Sequence, residues 1–246
     1  MRVRKTRGRA IFGAALLMIL STAPVAVAQE KPGESPSMAT PPPLPPNFPV
    51  PGGTTPDTTY VKKTECITSL DKGVDLVNKP WGQIQLRFDD LHRFSTGSGV
   101  LVGVIDTGVK AHPYFQDRIA GGGDFVDTPA NGLEDCDGHG TLVAGIIAAR
   151  PPVEKGIGFK GIAPDARILS IRQTSQNYKG KRPGAANPNE ESTAGTLDSL
   201  AQAIVYAANQ NVKVLNMSVD SCRPAAAGPI SPAERNLQAA LRYAFE

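Results

Sequence analysis

Two stretches of this chain hold residues whose types and order suit an acid–base relay. Val104-Ile105-Asp106-Thr107-Gly108-Val109 ends an apolar run in an aspartate, and Asp137-Gly138-His139-Gly140-Thr141-Leu142 places a histidine between two glycines. In a Ser-His-Asp triad the acid fixes the imidazole tautomer and stabilises the imidazolium, while the imidazole takes the proton of an attacking hydroxyl. Such an acid must be ionised, rigid and shielded from water. The end of a buried strand meets those needs, and Thr107-Gly108 lets the backbone turn away behind it. His139, at the start of a helix, is anchored by that helix, and Gly138 and Gly140 are expected to leave room around the ring for a substrate. Taken singly, the first motif also fits an Asx-type turn and the second a structural histidine. Glu134-Asp135-Cys136-Asp137-Gly138-His139 crowds possible metal ligands together but has neither zinc nor calcium-loop spacing, so no metal and no cofactor are expected.

The surrounding sequence supplies elements that could position the pair. Gly99 to Ile105 reads as a strand covered on both faces, ending at Asp106. Residues 139–149 read as a helix stopped by Arg150-Pro151-Pro152. Ala166 to Arg172 reads as a second strand. Thr196 to Gln210 spaces Leu197, Leu200, Ala201, Ile204, Val205 and Ala208 along one helical face, and Val212 to Met217 forms a third strand. Ser231-Pro232-Ala233-Glu234 opens a last helix with a capping box and proline at its first position, its apolar stripe formed by Leu237, Leu241 and Ala244 or Phe245. No glycine, asparagine or proline closes that helix before Glu246. Strands alternating with helices predict an α/β fold, a doubly wound parallel sheet. Ligands collect at the carboxyl ends of such strands, where both Asp106 and Ser218 fall.

The chain begins with a segment that reads as a leader. Met1 to Arg9 carries five basic residues, Ile11 to Leu20 is mostly apolar, and Val25-Ala26-Val27-Ala28 fits signal-peptidase cleavage after Ala28. Without those five charges the chain has 21 Lys+Arg against 23 Asp+Glu, a net of −2, so a nucleic-acid partner has no support. Export makes Cys66, Cys136 and Cys222 candidates for disulfides. Residues 29–59 form a proline-rich extension that reads as a polyproline-like spacer or as an arm wrapping the next domain. Residues 60–246 are enough for one domain.

In combination the motifs resemble the subtilisin-like serine proteases, the subtilases. Val104 to Val109 resembles the family's aspartate block and His139-Gly140-Thr141-Leu142-Val143-Ala144-Gly145 its histidine block. Gly161-Ile162-Ala163-Pro164-Asp165-Ala166 resembles the segment leading into the next strand. Val214-Leu215-Asn216-Met217-Ser218 resembles the strand that walls the substrate cleft, which makes Ser218 and Val219 substrate-binding candidates and gives Ser218 no role as nucleophile. The leader, the proline-rich arm, Pro80-Trp81-Gly82-Gln83, Asp135 to Thr141, Ile168 to Gln173 and Ser221-Cys222 narrow the resemblance to the mycosins of type VII secretion.

That resemblance implies a subtilisin-like fold, Asp106 and His139 as catalytic residues, a polypeptide substrate, and association with a type VII secretion membrane complex at the cell envelope. It also implies a Cys66–Cys136 disulfide, with Cys222 paired to a later cysteine. The family's Gly-Thr-Ser-x-Ala-x-Pro nucleophile block does not occur in these 246 residues, nor does Gly-x-Ser-x-Gly. The reading is therefore the N-terminal part of a peptidase domain, incomplete at the C-terminus and lacking the nucleophile, the oxyanion asparagine and the family's membrane anchor. The alternative is a non-catalytic scaffold or binding module of the secretion complex.

Overall fold

A computed structural model describes residues 43–67, 76–181, 191–219 and 229–246. The leader, the arm up to Pro42 and the Ser221-Cys222 pair lie outside them.

A short helix, α1 (Trp81–Leu86), precedes the main sheet, which is parallel. That sheet contains β2 (Leu101–Asp106), β3 (Ile119–Asp124), β4 (Arg167–Arg172) and β7 (Val214–Met217), in the order β3-β4-β2-β7. Alternation along β2 decides which helix each side chain meets. Leu101 and Ile105 join Leu169 and Ile171 of β4 beneath helices α3 (Leu197–Asn209) and α4 (Pro232–Phe245), while Val102 and Val104 pack with Ala144 and Ala148 of α2 (His139–Ala148). Helices thus cover both faces, as the doubly wound expectation requires. Asp106 shares the parity of Val102 and Val104, so it emerges on the face that carries α2.

Strand β3 was not expected, because Ile119-Ala-Gly-Gly-Gly-Asp124 lacks an apolar run. Its glycines answer to close packing: a Cβ on Gly122 would lie 2.6 Å from Leu169 Cγ, and one on Gly121 would lie 2.6 Å from the Asn131 carbonyl oxygen. A second, antiparallel sheet was also missed. It orders β1 (Tyr60–Lys62), β5 (Ser175–Lys181) and β6 (Glu191–Ala194) as β1-β5-β6, and its polar sequences hide it from hydrophobic periodicity. Strand β1 follows directly on the proline-rich stretch, and residues 43–67 together, hereafter the N-terminal extension, are tied to β5 through it.

Helix α3 lies between the sheet and α4, so it buries more than the single face expected: Ala201, Ala203, Ile204, Val205 and Ala207 are all buried. Helix α4 begins with the expected capping box, in which Glu234 N–H donates to Ser231 Oγ and Ser231 N–H donates to Glu234 Oε2. Its apolar stripe needs correction. Leu237 and Ala244 pack on the core with the fully buried Ala240, whereas Leu241 is exposed and Phe245 is 93% exposed. The alanine face lets α4 approach the alanine-rich α3 closely, which rotates the larger side chains outward. Among the described residues no helix is long and apolar enough to cross a membrane.

Candidate active site

Asp106 ends β2 and is 1% exposed, while His139 is the first residue of α2. The two meet: His139 Nδ1 lies 2.7 Å from Asp106 Oδ1, which also accepts the Thr107 backbone N–H at 2.7 Å. A carboxylate there fixes the Nδ1–H tautomer and leaves Nε2 as the basic nitrogen. The histidine side chain is 54% exposed, so the ring is held from its buried side and open on the other. Its pKa is raised, first by the hydrogen bond to Asp106, then by the charge of Asp106 and, more weakly, by those of Asp135 and Asp137.

The two glycines flanking His139 differ in role. Gly138 adopts φ +81°, a left-handed conformation that glycine accepts without strain. Gly140 does not make room for a substrate: a Cβ there would stand 2.0 Å from the Gly108 carbonyl oxygen and 3.1 Å from Asp106 Oδ1. The absence of that atom lets the first turn of α2 sit directly on the Asp106 turn.

Asp135 ties the two turns together, a role that sequence reasoning missed. One oxygen accepts the Thr107 hydroxyl and Gly138 N–H, each at 2.8 Å, and the other accepts the Thr141 N–H and hydroxyl. Thr107 Oγ1 in turn accepts Gly140 N–H. The carboxylate caps α2 from outside the usual N-cap position, where Gly138 has no side chain to offer. Its neighbours are equally engaged. Asp137 accepts the Ser175 hydroxyl and the Gln176 N–H, Glu134 ion-pairs with Arg172, and Cys136 is in a disulfide. The potential ligands crowded in this sequence segment thus serve the loop that presents His139. Asp135→Ala is expected to cost about 1–2 kcal/mol in urea unfolding, as for loss of a strong helix cap. It should also lower the His139 pKa in an NMR titration; an unmoved pKa would show that Asp135 has no hold on the ring.

Cys66 and Cys136 are joined across a sequence separation of 70 residues. Reducing the bond, or replacing both cysteines by serine, is expected to lower stability by up to about 4 kcal/mol on the chain-entropy model. The measurement is the urea midpoint with and without reductant.

A cleft of about 940 Å³ opens at the carboxyl edge of the sheet. Asp106, Thr107, Asp137 and His139 line it on one side, and Met217, Ser218 and Val219 on the other. The structure therefore brings all four non-cysteine candidates of the sequence to one cavity. It adds lining residues that no motif announced: Thr64 and Ile67 from the extension, Thr174, and Gln176 and Asn177 from β5. Gln176 and Asn177 belong to a strand whose polar composition gives no periodic signal, and Thr64, Ile67 and Thr174 lie in loops, which have none.

A family model described as the subtilase family matches residues 97–244, a span that contains the aspartate, the histidine and the cleft wall. The chain belongs to the subtilase family. Within it, the chain is 44% identical to Mycosin-1 of Mycobacterium tuberculosis over 85% of its own length and 46% of that relative's. Among solved structures, "a serine protease MycP1, an essential component of the type VII (ESX-1) secretion system" matches with a TM-score of 0.72 and 41% identity, covering 84% of this chain and 55% of that one. A chain in the structure of "an intact ESX-5 inner membrane complex" matches with a TM-score of 0.67 and 35% identity, over 83% of this chain and 49% of the other. This subtilase chain spans about half the length of the relatives it matches.

Proposed function

We propose that this chain supplies the acid and base of a mycosin-like serine endopeptidase. The observation that carries the reading is the 2.7 Å contact between His139 Nδ1 and the buried Asp106, at the floor of a cleft open to a polypeptide. In the reaction, a serine hydroxyl gives its proton to His139 Nε2 as its oxygen attacks the scissile carbonyl. The imidazolium, stabilised by Asp106, then protonates the leaving amine. Ser218 and Val219 flank the path of the substrate as part of the cleft wall. Ser218 is part of that wall and no substitute nucleophile on this reading, and its hydroxyl accepts the Asn216 side-chain amide. The attacking serine in this step is the one that the family carries in a Gly-Thr-Ser-x-Ala-x-Pro block, a string that does not occur in the sequence given.

A fluorophosphonate probe tests this directly. The natural gene product is expected to label on serine, and His139→Ala to abolish labelling; a natural product that binds the secretion complex yet never labels overturns the reading. Export through the leader, with the domain beginning at about Tyr60, is part of the proposal, as is docking onto a type VII secretion membrane complex. That partner is supported by the similar chain in the ESX-5 inner membrane complex. Were docking the sole role, the scaffold alternative would hold, and the unlabelled outcome distinguishes it.

A further inference from the structure

The cleft has one wall that comes from the N-terminal extension. Four devices hold that segment in place. Asp57 accepts the Thr196 hydroxyl at the start of α3, β1 pairs with β5, the Asn177 side-chain amide donates to the Glu65 carbonyl, and Cys66 is bonded to Cys136. Beyond the disulfide, Ile67 N–H donates to the Cys136 carbonyl at 2.9 Å. The chain is therefore fastened up to the Ile67 N–H. The Ile67 side chain is nevertheless 66% exposed, and its Cδ1 lies 4.0 Å from where a Cβ on Gly138 would stand. Thr64 and Ile67 face into the same cavity as His139 and Asp137.

A single exposed apolar side chain is ordinary on an open surface, but this one lines the same cavity as His139 and so offers an apolar contact to whatever enters it. We infer that Ile67, with Thr64 beside it, is a specificity-determining residue that receives an apolar side chain of an extended peptide on the His139 side of the cleft. The proposal rests on reading the cleft as a peptide site. It makes the extension a permanent part of the substrate surface, fastened covalently through Cys66. The neighbouring polar groups sharpen the preference. Asp137, Gln176 and Asn177 border the same space, so an acidic side chain placed there meets a carboxylate and gains nothing from Ile67.

The test uses the full chain and a set of hexapeptides with blocked ends, in which one leucine, alanine or aspartate is moved along an otherwise constant sequence. Binding is followed by the NMR signals of the His139 ring, which report occupation of the cleft whether or not cleavage occurs. At one position leucine should bind better than alanine, and Ile67→Ala should weaken the leucine peptide roughly ten-fold while leaving the alanine peptide unchanged. Ile67→Leu should restore the preference. Replacing Cys66 and Cys136 by serine should reduce it as well, with Ile67 still present. Peptides that shift His139 but respond equally, or not at all, to Ile67→Ala overturn this inference and leave the cleft reading intact. If no peptide shifts His139 in the unmodified chain, both fall.

Discussion

Replacing Asp106 by Asn is expected to lower the His139 pKa and, in a product that carries the nucleophile, to reduce turnover by about 10⁴-fold, as in a related triad whose acid was neutralised. The first cause of the raised pKa is the Asp106 hydrogen bond, and the second is the Asp106 charge. Asparagine removes the charge and can donate to Nδ1, which favours the tautomer with the proton on Nε2, where the base must act. The sign of the pH dependence follows. A histidine raised in the folded state contributes stability that is complete below its unfolded pKa and is lost as pH rises through the folded value. That contribution should disappear in the variant. Catalysis runs the other way, because only the neutral ring accepts a proton, so the acid limb of the rate profile should lie above the ordinary histidine value. An NMR titration of His139 in both proteins checks the first claim, and single-turnover rates against pH check the second. An unchanged titration would remove Asp106 from the relay.

The second large effect is structural. Arg172 ends β4 with its side chain fully buried, its Nε 2.7 Å from Asp124 Oδ2 and its Nη1 3.1 Å from Glu134 Oε2. Burial pulls the guanidinium down, and the two carboxylates more than offset this, holding it above its ordinary value. The group also stacks over Tyr178, 5.1 Å from the ring centroid. Arg172→Leu leaves the Asp124 carboxylate buried without its cation and is expected to cost about 3–5 kcal/mol. Adding Asp124→Asn should recover part of that loss, since the stranded charge is then gone. Urea unfolding of the single and double variants gives the comparison. A single-variant loss below about 1 kcal/mol would show that the Asp124 carboxylate does not depend on the Arg172 cation.

Much of the site could be read from local sequence because its signals are local. The apolar run into Asp106, the proline stop after α2 and the Ser231 capping box depend on neighbouring residues, whereas the face on which Asp106 emerges is set by which side of β2 packs on α2. The resemblance to mycosins supplied the Cys66–Cys136 bond, which no spacing argument provides and which the structure contains. The misreadings have a common cause. Gly140 looked like space for a substrate, yet the atom it excludes belongs to Gly108, 32 residues earlier in the chain. Leu241 and Phe245 fit a helical stripe, but the direction of α4 is set by which side of it meets α3.

The sequence by itself determined the class of the fold, the Asp106 and His139 here proposed as acid and base, and the strand end at which they meet, since periodicity, turn chemistry and motif order are properties of short stretches. Only the tertiary structure decided what surrounds them. The glycine-rich β3 and the polar β5 and β6 become strands because partners complete their hydrogen bonds and close packing excludes side chains. Asp135 becomes a cap only once the Asp106 turn and α2 are brought together. The wall formed by Thr64 and Ile67 exists because β1, a disulfide and Asp57 carry the extension across the domain to the histidine, a path no local pattern encodes.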